Sequence, residues 1–214
     1  MKKSIVLILI LSVLPLYAEF SSSVEKITPV IQARMKSGKS WQQGCPVGLQ
    51  DLRYIRVKYW TFDGKSSMGE LVVHRSVAKE VETIFEELYA VKYPIRSLRL
   101  VSDFQGNDWQ SIEADNTSAF NCRRATGSKK WSKHAYGRAI DINPIENPYI
   151  SRKGRISHKA SQKYRNRRHQ NPNNTEDHAV LLKNDKATQI FKKYGWKWGG
   201  DWPKVKDYQH FSKP

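Results

Sequence analysis

Two short stretches carry residue types that can do chemistry together. SKHAYGRAID, residues 132–141, offers a histidine, His134, and a carboxylate, Asp141, with Gly137 between them. Near the C-terminus DYQHF adds Asp207 and His210. Neutral imidazole and carboxylate are the ligands a zinc ion takes when one coordination position must stay open for water. Three protein ligands and one spare carboxylate make the inventory of a zinc hydrolase. On this reading His134, Asp141 and His210 hold Zn2+ and Asp207 handles the proton. Asp207 stands three residues before His210, and on a regular strand such positions face opposite ways. The pair therefore works as a unit only if Asp207 lies on a bend leading into the strand. Each piece also has a plain alternative: a structural histidine, a turn carboxylate at Asp141, or a surface ion pair of Asp207 with Lys204 or Lys206.

The elements that must position these residues are readable in outline. Thr28-Pro29 is a helix start, so Pro29–Ser37 reads as a short helix stopped by Gly38. Residues 52–62 alternate in part, and with residues 70–74 they form a hairpin around DGKSSMG. Residues 76–93 read as the clearest helix. Val77, Val81, Ile84, Phe85 and Leu88 share one stripe, while Glu80, Glu82, Glu86 and Glu87 cover the rest. Residues 98–101 and 138–143 read as strands, the latter carrying Asp141, and residues 207–211 as the last strand. Residues 185–194 read as a helix capped by Asp185. Residues 102–130 are polar and read as one long loop, and residues 19–26 as a mobile lead-in. Trp196, Trp198 and Trp202 either pack under the last strand or wall a cleft. Together these elements predict one α+β domain, with a small antiparallel sheet carrying the metal site and helices flanking it.

Composition narrows the partners. Lys2 and Lys3, an apolar run and Leu16-Tyr17-Ala18 read as a signal peptide over residues 1–18. Residues 19–40 then form an N-terminal segment and residues 41–214 the catalytic domain. The expected protein is exported, periplasmic or extracellular, with no membrane span after cleavage. The chain carries 37 basic and 20 acidic residues. Without the leader's two lysines the net charge is +15, which calls for an anionic partner. Export argues against nucleic acid and favours the carboxylate-rich cell wall. Cys45 and Cys122 can form one disulfide in an oxidising compartment, and two buried free thiols are the alternative. RKGRISHKASQKYRNRRHQ, residues 152–170, is either a solvated insertion or a clamp for an anionic polymer. His158, His169 and His178 read as surface histidines.

SKHAYGRAID and DYQHF closely resemble the SxHxxGxAxD and (D/E)xxH signatures of the zinc D-alanyl-D-alanine carboxypeptidases and L-alanyl-D-glutamate endopeptidases. NTSAFNCR, INPIENPY and GWKWGGDW look like the endopeptidase-like branch of that family. The resemblance implies the fold shared with the hedgehog signalling domain. It implies His134, Asp141 and His210 as zinc ligands, and Asp207 as general base and acid. It further implies an arginine upstream of the first signature that steadies the substrate carbonyl and oxyanion: Arg123, with Arg124 as the fallback. The implied reaction is hydrolysis of a peptide bond in peptidoglycan stem peptides. Asp207 stands where the vancomycin-resistance members carry Glu, so their D,D-specificity does not transfer with the motif. The rival from another class is a non-catalytic wall-binding module that keeps zinc for structure.

Overall fold

The computed structural model describes residues 19–169, 171 and 174–214, so the expected leader lies outside the described residues. In chain order the elements are β1 (Ser22–Lys26), α1 (Pro29–Ser37), β2 (Leu52–Trp60), β3 (Ser66–His74), α2 (Ala78–Ala90), β4 (Ser97–Leu98), α3 (Asp108–Glu113), β5 (Asn116–Thr117), β6 (Ala139–Asp141), β7 (Tyr149–Ile150), α4 (Thr175–His178), α5 (Lys186–Lys193), β8 (Lys197–Trp198), β9 (Lys206–Asp207) and β10 (His210–Ser212). The fold is α+β. Antiparallel sheets of order β1-β2-β3 and β6-β10-β8 are joined by the two-stranded pairs β4-β5 and β7-β9.

The partial alternation in β2 has a physical reason: both faces of its sheet are covered. Ile55, Val57 and Tyr59, with Leu71 and Val73 of β3, point into one core with Val81, Ile84, Phe85 and Leu88 of α2. Leu52, Tyr54 and Val72 point the other way, against Ile31 and Met35 of α1 and Phe120 and Cys122. The period of two is intact on each face, but neither face is polar. The first core continues under β6-β10-β8 through Ile140, Phe191, Trp196, Trp198 and Phe211. The sheet that carries the candidate ligands thus rests on the same buried platform as the long hairpin.

Several expectations need correction. Residues 22–26 are not a mobile lead-in. They form β1, antiparallel to β2 along Ser22↔Val57 to Lys26↔Arg53, and Ser22 donates to the Glu82 carboxylate at 2.7 Å. Glu82 is consequently buried rather than part of a solvated face. The region read as one long loop, residues 102–130, holds a 3-10 turn (Val101–Phe104), α3 and β5, and residues 116–122 are buried throughout. Their polarity misleads because it serves internal bonding: Asn116 donates to the Arg99 carbonyl and to Ser111 Oγ. Asp185 sits at the α5 N-cap but makes no side-chain cap bond; its carboxylate accepts from the Leu182 N–H instead. The basic stretch is not wholly solvated either. Arg167 reaches inward to donate to the Glu146 and Leu181 carbonyls and to Asn147 Oδ1, beneath the Tyr208 ring.

The Cys45–Cys122 disulfide is present, with a Cα–Cα distance of 5.8 Å. It closes a loop spanning 77 positions and ties residue 45 to the buried segment that leads into Arg123. Among the described residues no helix is long and apolar enough to cross a membrane.

Candidate metal centre

Each candidate ligand is positioned by local structure that its neighbours in sequence dictate. Ser132 N-caps the 3-10 turn Lys133–Tyr136, its hydroxyl accepting from the His134 N–H. Gly137 ends that turn with φ +64°, and its carbonyl accepts from the His74 N–H at 2.8 Å. A Cβ at Gly137 would stand 2.5 Å from that nitrogen, so any side chain would push β3 away. Asp141 lies on β6 directly opposite His210 of β10, and its other edge is bonded to Ser118. Two neighbours hold the Asp141 backbone, so its carboxylate projects from a rigid strand.

His134, Asp141 and His210 converge. All three are buried, and they form a set of donor atoms able to hold a metal ion. His134 Nε2 lies 3.2 Å from Asp141 Oδ2, His210 Nδ1 lies 2.9 Å from Asp141 Oδ1, and the two ring nitrogens are 3.3 Å apart. A tetrahedral ion with bonds of about 2.0–2.1 Å separates its ligand atoms by about 3.3 Å. His134 Nδ1 donates to the Ala119 carbonyl at 2.6 Å, which fixes the tautomer and leaves the Nε2 lone pair turned to the centre. The donor chemistry and spacing therefore fit a divalent zinc-type ion. Burial pushes the Asp141 carboxyl up, but the His134 and His210 imidazoles outweigh it and hold Asp141 well below the usual carboxylate range. Burial likewise opposes charge on His210, yet the Asp141 hydrogen bond raises its pKa.

Asp207 lies beside this cluster on β9, and residues 208–209 turn before β10 begins at His210. The expected single strand over residues 207–211 is thus two strands with a bend between them, which is what the spacing of Asp207 and His210 requires. Asp207 as a residue is half-buried, but its Oδ1 is wholly enclosed and has no hydrogen-bond partner among the described residues. Burial, helped by the charges of Asp141 and Asp108, pushes its pKa up to about 7. The bend is held from behind. Trp198 Nε1 donates to the Tyr208 carbonyl at 2.7 Å, and a Cβ at Gly199 would stand 2.3 Å from the Asp207 carbonyl oxygen. The tryptophans divide: Trp196 and Trp198 are core, while half-buried Trp202 sets its ring 5.5 Å from that of His210.

The two arginines also separate. Arg124 is exposed, stacked 3.6 Å over the Trp131 ring. Arg123 turns inward and pairs with Asp108 at 2.9 Å, leaving its Nε buried without a partner. Asp108 is a site neighbour that sequence reasoning missed, because it falls in the stretch taken for a loop. The one signal for it is Asn107, which caps α3 by accepting from the Gln110 N–H.

The family model described as D-alanyl-D-alanine carboxypeptidase matches residues 126–213. The match covers less than half of the chain, and over that part the chain is similar to that peptidase family. The family region contains His134, Asp141, Asp207 and His210 and begins just after Arg123, so Arg123 and Asp108 stand outside it. No curated protein and no solved structure matches the chain. The fold and the matched region together mark a peptidase of α+β architecture.

Proposed function

We propose that this protein is a zinc-dependent peptidase that hydrolyses a peptide bond in peptidoglycan stem peptides, of D-alanyl-D-alanine carboxypeptidase or L-alanyl-D-glutamate endopeptidase type. His134, Asp141 and His210 would hold the ion. When bound, zinc supplies a water of lowered pKa and a Lewis acid for the scissile carbonyl. Asp207 is the base: its unpartnered Oδ1 takes the proton of the attacking water and returns it to the leaving amine. Arg123, clamped by Asp108, offers its remaining N–H groups to the developing oxyanion.

The observation that carries this reading is Asp207. A closed structural site has no use for an enclosed, unpaired carboxylate beside three ligands. The charge excess, with an exported chain, favours a carboxylate-bearing wall polymer as substrate. The test is incubation of the zinc-loaded protein with defined stem peptides and mass spectrometry of the products. Loss of a terminal D-alanine, or scission after the first L-alanine, supports the reading and chooses between its two types. Intact peptides would contradict it.

A further inference from the structure

Arg123 stands on backbone that belongs to no helix or strand: residues 119–123 are irregular. Its guanidinium is nonetheless placed. One terminal nitrogen pairs with Asp108 at 2.9 Å, the other donates to the Arg124 carbonyl at 3.2 Å, and the Nε is buried. Its charge reaches the metal cluster, where it works against protonation of His210. A long side chain keeps such a place only if the backbone beneath it is fixed.

Two sets of contacts fix that backbone. On one side the Asn121 N–H donates to the His134 carbonyl at 3.4 Å and the Ser132 N–H to the Arg123 carbonyl at 3.1 Å. These bonds tie Arg123 to the turn that carries His134. On the other side the Cys122 N–H donates to the Ser40 carbonyl at 2.9 Å, and the Cys122 side chain is bonded to Cys45. Ser40 and Trp41 in turn donate to the Met35 carbonyl near the end of α1. Arg34 of α1 is locked to Glu70 of β3 and to Asp103, at 2.7 and 2.8 Å. Cys122 itself is buried in the core that α1 shares with the hairpin. The bridge therefore joins a braced platform covalently to the residue next to Arg123.

We infer that the Cys45–Cys122 bridge is a positioning element of the reaction: it fixes the backbone at Cys122 so that the Arg123 guanidinium, steadied by Asp108, keeps its place beside the metal centre. This inference rests on the peptidase reading of that centre and gives the bridge a role beyond stability. The sulfurs touch no reacting atom and act through Arg123. Both cysteines lie outside residues 126–213, the region that matches the family model.

The test compares the parent, Cys45→Ala with Cys122→Ala, Arg123→Ala and the triple variant, well below the lowest melting temperature among them. If the double cysteine variant does not fold, Cys45→Ala alone cuts the same bond and keeps the buried sulfur. Two readouts are taken: kinetics of the zinc-loaded chains on one stem peptide, with zinc content, and exchange of the Arg123 Nε–H proton by NMR. That signal is assigned by its loss in Arg123→Ala. Removing the bridge should speed the exchange by about tenfold or more. The bridge-free variant should keep its zinc while kcat falls by about ten- to 100-fold and KM changes little. In the Arg123→Ala background, removing the bridge should lower kcat no further. Unaltered exchange or unaltered kcat in the folded bridge-free variant would overturn the inference, as would loss of its zinc. Equal falls in kcat with and without Arg123 would overturn it too, leaving the bridge with stability alone. A parent that cuts no stem peptide would overturn the proposed reaction, and the exchange rate would still decide whether the bridge holds Arg123.

Discussion

On the proposed mechanism Asp207 and Arg123 do different work, and their variants should fail differently. Asp207 contributes no ligand atom to the His134–Asp141–His210 set. Asp207→Ala should therefore keep its metal while kcat falls by about 100- to 10,000-fold, the range for a positioned acid or base. Arg123→Ala should lower kcat by about 100- to 1,000-fold, with KM changing less, because on the proposed mechanism its guanidinium meets charge that develops only during reaction. Stopped assays on one stem peptide separate both from a binding defect. On that mechanism Asp207 must be ionised, and burial lifts its pKa to about 7. A cation beside it lowers that value, so activity should rise with pH and level off with its acid limb at or below about 7. Asp207 and the three candidate ligands can be picked out of the sequence by residue type and spacing, whereas Arg123 comes only from the family resemblance. Asp108 is not legible there, since nothing local says that a carboxylate in a polar stretch will meet a guanidinium fifteen positions on.

At the scale of elements, the bend between β9 and β10 is the device that lets a carboxylate three residues from a ligand share its site. Gly199 makes room for it, because a methyl group there would collide with the Asp207 backbone. Gly199→Ala should cost about 1–3 kcal/mol of stability and lower turnover more than zinc affinity, read by denaturant unfolding and zinc titration. The long elements follow from pattern: the α1 cap at Thr28 and the α2 stripe occupy their expected places. Of the short ones, β6 falls inside the strand read over residues 138–143 and β10 begins inside the one read over 207–211, whereas β5 and β8 hold two residues each, too few to show a period, and tertiary pairing alone defines them. β1 escapes notice for a related reason: its Ser-rich composition reads as a tail until β2 offers a ladder.

Across the whole molecule two features set the conditions under which it stays folded. The Cys45–Cys122 bridge closes a long loop, and its reduction should lower stability by about 4 kcal/mol, seen as a lower melting temperature in reductant. Glu146 and Asp115 are buried beside each other. Burial, then the Asp115 charge, pushes the Glu146 pKa up to about 9. Its folded pKa lies above the unfolded one, so its contribution is fully present below about 4.5 and is lost as pH rises toward 9. Glu146→Gln, which stays neutral, should flatten the fall in melting temperature across that window. The charge excess and basic stretch point to an anionic partner from composition alone, but the course of that stretch from the strand beside Asp207 to α3 does not show there. It depends on Tyr149 pairing with Asp207 and His158 lying on Trp109, contacts made far apart in sequence.

The central claim is that two imidazoles and one carboxylate hold a catalytic ion while a fourth side chain moves the proton. The most direct measurement is zinc content and stem-peptide turnover, taken on the same preparations of the parent, His134→Ala and Asp207→Ala. The account predicts one zinc per chain in the parent and in Asp207→Ala, little in His134→Ala, and turnover in the parent alone. A parent without zinc, or a His134→Ala variant that holds the metal as well as the parent does, would contradict it.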